Sequence, residues 1–312
     1  MRTIDADAPV PAAMRSRPER IRATAAGLVR SLRPRQWTKN LLVFAAAGAG
    51  GALLRAHVFG RSAIAFVALC MISSAGYLLN DLLDASSDRQ HPARSERPIA
   101  AGIVSVGAAV ATGIVLAAAG LAVAATLGLA FVATVGVYAV LAVSYSVALK
   151  RVAVIDIAVV SAGFVVRAVA GSVASGIPLS QWFLILISFG ALFVVAGKRY
   201  AEYAAMGEHI DRARTPMLEY TAAYLRYVWM LASAVAIAAY CLWAFEQPHA
   251  AHHVPWSELS AIPFVLAILR YALVLESGRG GAPEDVLMGD VPFVLLAVAW
   301  LVVYACGVYL GR

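Results

Sequence analysis

Residues 64–88 read IAFVALCMISSAGYLLNDLLDASSD. From Ile64 to Leu79 there is no charged residue; then come Asn80, Asp81, Asp84 and Asp88. An uncharged apolar run of this kind reads as part of a membrane-spanning helix. Carboxylates at its edge are costly unless they meet water or a partner. At about 100° per helical residue, Asp81, Asp84 and Asp88 fall within about 60° of one another, and Asn80 widens that arc to about 100°. One helix face thus offers three carboxylates and an amide oxygen, hard ligands suited to Mg²⁺ and, through it, to a diphosphate. Like charges so close call for a cationic neighbour. The plainer alternative is a solvated helix end with incidental acids.

The rest of the chain agrees with a membrane setting. Of its 312 residues, 62% are hydrophobic and 14% charged, against about 45–50% and about 25% in soluble domains. This excludes an ordinary soluble enzyme, a disordered chain and a nucleic-acid module, so no nucleic-acid partner is expected. Nine apolar runs, at 40–58, 62–80, 102–122, 126–148, 153–173, 181–197, 224–245, 258–275 and 291–311, predict an all-α polytopic membrane protein with nine transmembrane helices. Their continuity argues against a β-barrel. Cys70, Cys241 and Cys306 sit within apolar runs and suggest no disulfide or zinc framework. Residues 1–20 are expected to be a disordered tail without a signal-peptide core. Residues 21–312 then form one domain, opening with a surface helix whose apolar stripe is Ile21, Ala25, Leu28 and Leu32.

Charge sets the expected orientation. One side of the membrane carries 20 Lys/Arg residues and the other carries Arg55, Arg61 and Arg312. The tail and the loops 81–101, 198–223 and 276–290 are therefore expected in the cytoplasm, with the C-terminus outside. Those long polar loops put the expected active site at the cytoplasmic face of the bacterial plasma membrane.

Several basic groups surround the acidic motif in sequence. Arg89, Arg94 and Arg97 follow it in a Pro-bounded loop able to close over a metal diphosphate, although topology alone would also place arginines there. Lys198-Arg199-Tyr200-Ala201-Glu202 closes span six, where Lys198 and Glu202 have the spacing of a helical ion pair. Lys150 and Arg151 close span four, ahead of Asp156. Arg167 lies roughly 20 Å into span five, and a charge there must face a wet cavity or an anion. Arg270 is near enough to a helix end to snorkel. Before span one, Arg35 and Lys39 share a side of a helix and Trp37 suits the interface. His249, His252 and His253 are a weak metal candidate in an outer loop, and Glu284 and Asp285 sit in a Gly-rich loop suited to a lid. No P-loop, Rossmann fingerprint, Gly-x-Ser-x-Gly or zincin motif occurs.

The pattern Asn-Asp-x-x-Asp-x-x-x-Asp at residues 80–88, after a second span, resembles the UbiA superfamily of intramembrane prenyltransferases. The resemblance runs from about residue 30 to 310 and implies a helical barrel open to the cytoplasm. The second aspartate-rich motif usual after span six is replaced by Lys198-Arg199-Tyr200-Ala201-Glu202. That replacement resembles one branch, the decaprenyl-phosphate phosphoribosyltransferases. So do Leu32-Arg33-Pro34-Arg35-Gln36-Trp37-Thr38-Lys39-Asn40, Arg97-Pro98-Ile99-Ala100-Ala101-Gly102 and Pro283-Glu284-Asp285. The branch transfers 5-phosphoribose from phosphoribosyl diphosphate (PRPP) to a polyprenyl phosphate, releasing diphosphate, early in arabinan precursor synthesis. The resemblance implies Mg²⁺ on Asn80, Asp81, Asp84 and Asp88, with Asp81 and Asp84 central to catalysis. It also implies substrate-phosphate contacts from Gln36, Lys39, Asn40, Arg97, Lys150, Arg167, Lys198 and Arg199. A homo-oligomer is compatible with this reading. The alternatives are a prenyltransferase with an aromatic acceptor and a non-enzymatic lipid-phosphate transporter.

Overall fold

The computed structural model of the chain describes residues 17–90, 94–206, 218–247, 254–277 and 289–310. The helices are α1 (Arg17–Ser31), α2 (Ala45–Ala49), α3 (Ala56–Arg89), α4 (Val106–Ala125), α5 (Leu129–Val147), α6 (Ile155–Ser175), α7 (Gln181–Met206), α8 (Ala222–Glu246), α9 (Trp256–Glu276) and α10 (Val291–Leu310). Stretches of 3₁₀ helix at Pro34–Phe44 and Leu149–Arg151 complete the order. Among the described residues there is no strand. The expected tail lies outside them up to residue 16, and α1 already begins at Arg17.

Among the described residues eight helices, α3 to α10, are long and apolar enough to cross a membrane, against the nine apolar runs of the sequence. The run 40–58 differs because its backbone is not α-helical throughout. Pro34–Phe44 is a 3₁₀ helix, α2 adds one short piece, and Gly51 turns away at φ 64. The looser 3₁₀ rise still lets these 11 and 5 residues reach roughly 30 Å. A threefold repeat also changes which side chains share a face. Trp37, Asn40 and Val43 turn inward together: Trp37 donates to Ser74, while Asn40 and Val43 are fully buried. Arg35 and Lys39, aligned on an α-helix, are not aligned here. Gly171 of α6 permits this seat, since a Cβ there would collide with the Val43 backbone.

Helix α3 is 34 residues long, about 51 Å at 1.5 Å per residue. It outruns the hydrocarbon thickness, so the acidic motif forms its final, still helical turns. Two apolar cores flank the molecule's centre. Leu69, Ile72, Phe131, Val135 and Tyr138 join α3 and α5, with Ala170 and Ala174 of α6. Phe193, Trp229, Tyr271 and Leu275 join α7, α8 and α9, with Ile157 of α6. Helix α6 contributes to both. A third, smaller cluster docks α1: Leu28 and Leu32 pack on Leu78, Ile99, Val104 and Ala109. The other half of the expected α1 stripe is not covered, with Ile21 and Ala25 exposed. Helix α10 packs on α9 and turns the rest of its apolar surface outward.

Candidate active site

The acidic face of α3 is buried, with Asp81, Asp84 and Asp88 at 3%, 9% and 1% exposure. The neighbouring Leu83 turns outward, as the helical spacing requires. Each carboxylate has acquired the cation that its desolvation demands. Arg33 donates to Asp81 at 2.5 Å, and Arg97 bridges Asp81 at 3.3 Å and Asp88 at 2.7 Å. Lys150 reaches Asp84 at 2.6 Å and the Asn80 amide oxygen at 3.3 Å. Asn80 in turn donates to Asp84. Three negative and three positive charges therefore balance on this face. Arg89 does not join them; it donates to the Ala100 carbonyl.

Beside this face, between the two cores, lies a cavity of ≈ 370 Å³. It is lined by the ends of α3, α5, α6 and α7. Among the described residues, seven lining side chains are basic, including Arg33, Lys39, Arg94 and Arg97, against one acid, Glu202. Lys39 also approaches the Phe164 ring at 5.9 Å. Arg167 lines the wall and is 5% exposed. Its Nε donates to the Asn40 side chain at 2.7 Å, one terminal nitrogen to Gly163 O, and the other to Tyr138 Oη at 2.7 Å. All three partners are neutral, so the hydrogen bonds are satisfied while the positive charge is not cancelled by them.

At the mouth, Arg199 donates to Glu202 at 2.8 Å, to Asp156 at 3.1 Å and to Tyr145 Oη at 3.3 Å. Glu202 thus takes Arg199 at i,i+3 rather than Lys198 at i,i+4. Lys198 points into the cavity with no ion pair to another described residue. Asp156, 1% exposed, is completed by Tyr220, whose hydroxyl donates to it at 2.5 Å and accepts the Val154 N–H at 2.6 Å. Burial, and then that hydrogen bond to Asp156, push the Tyr220 hydroxyl well above the usual phenol range, so it stays protonated.

Two residues here carry unusual backbone. Arg33 (φ 53) and Val154 (φ 69) are the non-glycine residues with positive φ among those described, and both flank the site. Such conformations cost about 1–3 kcal/mol each and persist where the surroundings impose them. Arg33 is held by Asp81 and by the Tyr77 ring, 5.2 Å away. Val154 is held by Tyr220.

The sequence candidates therefore divide. Lys39, Arg97, Arg167, Lys198 and Arg199 line the cavity. Lys150 stands behind Asn80 on the carboxylates, and Asn40 is a buried support for Arg167. Gln36 is half-buried and is not part of the lining. Arg270 does not snorkel freely; it makes a two-point contact with Asp290, at the start of α10. His249, His252, His253, Glu284 and Asp285 lie outside the described residues. Sequence reasoning did not pick out Arg33, Tyr138, Tyr145 or Tyr220, which are joined to the site only through the fold.

Among the described residues, no three acidic, His or Cys side chains converge as a ready metal cage. The donor chemistry nonetheless fits Mg²⁺ bound with a diphosphate, because Mg²⁺ commonly takes one or two carboxylates and fills its remaining positions with phosphate oxygens and water. Asp81, Asp84, Asp88 and the Asn80 oxygen are donors of that type, and the three basic side chains on them are natural partners for the phosphate oxygens.

Comparison with known proteins agrees with this architecture. The family model described as the UbiA prenyltransferase family matches residues 41–289. The chain is 43% identical to a decaprenyl-phosphate phosphoribosyltransferase of Corynebacterium glutamicum, over 92% of this chain and 88% of that one. It is 42% identical to one of Mycobacterium tuberculosis, over 92% and 95%. In fold it is similar to a UbiA homologue from Archaeoglobus fulgidus bound to GPP and Mg²⁺, with a TM-score of 0.70 and 19% identity over 90% of this chain and 99% of that one. A digeranylgeranylglyceryl phosphate synthase structure aligns with a TM-score of 0.63 and 13% identity, over 93% and 99%. With the family model matched over residues 41–289, the acidic turns of α3 among them, this chain belongs to the UbiA prenyltransferase family.

Proposed function

We propose that the protein transfers 5-phosphoribose from PRPP to a polyprenyl phosphate such as decaprenyl phosphate, releasing diphosphate. The observation that carries this reading is the seven-to-one excess of basic over acidic side chains among the described residues lining the cavity beside the α3 carboxylates. A prenyl diphosphate and a neutral aromatic acceptor bring one anionic group. PRPP brings two, and a lipid phosphate brings a third. The similarity to named phosphoribosyltransferases supports the same choice.

Mg²⁺ held by Asp81, Asp84, Asp88 and Asn80 would offset the charge developing on the departing diphosphate. The chain's own groups do the rest. Arg33, Arg97 and Lys150 exchange their carboxylate partners for phosphate oxygens, so the diphosphate meets basic groups already beside it. Arg167 and Lys198, whose charges meet no acid among the described residues, hold further phosphates. The nucleophile is an ionised lipid phosphate, so no strong general base is required. The same reading puts the site on the cytoplasmic side of the plasma membrane and the C-terminus outside, supported by the 20-to-3 basic asymmetry. Residues 21–312 act as one unit, with the bilayer itself as the route for the lipid tail.

The test uses purified protein in lipid nanodiscs with polyprenyl phosphate, labelled PRPP and Mg²⁺. Label passing into the organic phase together with diphosphate release is expected. Diphosphate release from a prenyl diphosphate only, or lipid movement without any release, would overturn the reading in favour of a prenyltransferase or a transporter.

A further inference from the structure

The connection between α5 and α6 presents a problem that Tyr220 solves. Lys150 must reach Asp84 from a short 3₁₀ turn, Leu149–Arg151, while Asp156 begins α6 only a few residues later. The chain closes this gap by driving Val154 to φ 69, ψ −48. A β-branched side chain strongly disfavours that region, and no glycine stands there to accept it. The contact holding the Val154 N–H comes from Tyr220, just ahead of α8 and 66 residues along the chain.

The polarity of this contact is set by its neighbours. Asp156 is buried and its second oxygen takes Arg199, so its first oxygen can only accept from Tyr220. The Tyr220 proton is thereby committed to Asp156, and its oxygen lone pairs are left for Val154 N–H. Tyr220 is itself well fixed. It is 4% exposed and stacked on Tyr224 at 5.7 Å with an interplanar angle of 8°. The next residue, Thr221, caps α8 by accepting from the Tyr224 N–H.

We infer that Tyr220 is a positioning residue: its hydroxyl clamps the strained α5–α6 connection and so holds Lys150 on Asn80 and Asp84. The inference rests on the reading above for the role of Lys150, while the clamp itself is a matter of geometry. Tyr220 is not among the residues lining the cavity; its hydroxyl completes Asp156 beside Arg199, and it acts on Lys150 through the backbone at Val154.

The experiment is Tyr220→Phe in the full-length protein in nanodiscs. Three quantities are read: hydrogen exchange at the Val154 amide, reductive methylation of the Lys150 amine, and KM for PRPP. Losing one hydrogen bond should speed Val154 exchange roughly tenfold. Lys150, only 7% exposed and held by Asp84 in the native protein, should methylate several-fold faster, by about the same single-bond factor. KM for PRPP should rise roughly tenfold, with Tm within a few degrees of the parent. Unchanged exchange at Val154 overturns the clamp. Faster exchange with unchanged Lys150 labelling, or with unchanged KM, overturns the positioning role. A parent protein that transfers no phosphoribose would defeat the functional reading alone, and the exchange and labelling results would still decide the clamp.

Discussion

The carboxylate face of α3 and the wall around Arg167 both hold buried cations, but in opposite ways. On α3, Arg33, Arg97 and Lys150 each lie against a carboxylate, and the charges cancel. Around Arg167 the partners are an amide, a carbonyl and a phenol. The first arrangement is exchangeable: on the proposed function the carboxylates would hold Mg²⁺, leaving Arg33, Arg97 and Lys150 for phosphate oxygens. The second is uncompensated, since an amide, a carbonyl and a phenol satisfy its hydrogen bonds without cancelling its charge. A positive charge kept at such cost inside a membrane protein is a place for an anion. On the proposed function, the α3 face would serve the leaving group and Arg167 a phosphate that stays.

The strongest way to break this contrast is at the exchangeable face. Asp81→Asn or Asp84→Asn should lower kcat on the order of 10²-fold and raise the Mg²⁺ needed for half-maximal rate. For Asp81→Asn, Tm should change little, because Arg33 and Arg97 line the adjoining cavity and can turn to water; Asp84→Asn strands the buried Lys150 and should also lower Tm. Near-normal turnover in both variants would remove the metal assignment.

Arg167→Gln tests the uncompensated charge. A charge-assisted contact to substrate is worth roughly 1.5–3 kcal/mol, so KM for one of the two phosphate substrates should rise about 10- to 150-fold at ~1.4 kcal/mol per tenfold. Unlike Asp81→Asn, this change should also lower Tm, as Asn40 and Tyr138 lose their partner. Arg167→Lys keeps the charge but cannot repeat the three-point geometry. It should recover much of KM while leaving Tm low. Equal KM defects in the two variants would make Arg167 a structural pin and erase the contrast.

A finer version of the same comparison separates two neighbours on α7. Lys198→Gln removes a cation that meets no acid among the described residues, so KM should rise roughly tenfold with Tm unchanged. Arg199→Gln leaves Asp156 buried without its cation, a loss of up to ~3–5 kcal/mol, and Tm should fall by several degrees. Equal Tm values for the two would contradict the division of labour between substrate contact and structural support.

The sequence showed these parts unequally, for physical reasons. The face of Asp81, Asp84 and Asp88 was legible because helical periodicity is local and charge at a membrane edge is conspicuous. The need for cations there was legible too, but not their identity: Lys150 reaches Asp84 from 66 residues away and Arg33 reaches Asp81 from 48. The first apolar run was misjudged as an α-helix because composition does not separate a 3₁₀ rise from an α rise. That error also aligned Arg35 with Lys39. Lys198 and Glu202 have the spacing of a pair, yet Asp156 and Tyr145 draw Arg199 to the position from which it takes Glu202. Val154 carried no signal at all. A valine at positive φ is what local propensity argues against, and only the tertiary contact with Tyr220 explains it.

The smallest expected effect is also a test of sign. Among the described residues Glu202 is the one acid lining a cavity with seven basic side chains, and its ion pair with Arg199 is partly exposed, at 32% and 18% for the two side chains. Such a pair contributes no more than about 1 kcal/mol. Arg199 keeps Asp156 and Tyr145 when Glu202 is neutralised, so Glu202→Gln should leave Tm almost unchanged. If the cavity holds phosphates, removing its acid makes the field more favourable to them. KM for PRPP should then stay level or fall by up to about fivefold, the equivalent of ~1 kcal/mol. This is opposite in direction to Lys198→Gln, although the two residues are one helical turn apart. A steep rise in KM for Glu202→Gln, matching that of Lys198→Gln, would mean that the two act as a structural pair after all. The basic excess would then be a matter of topology rather than of substrate.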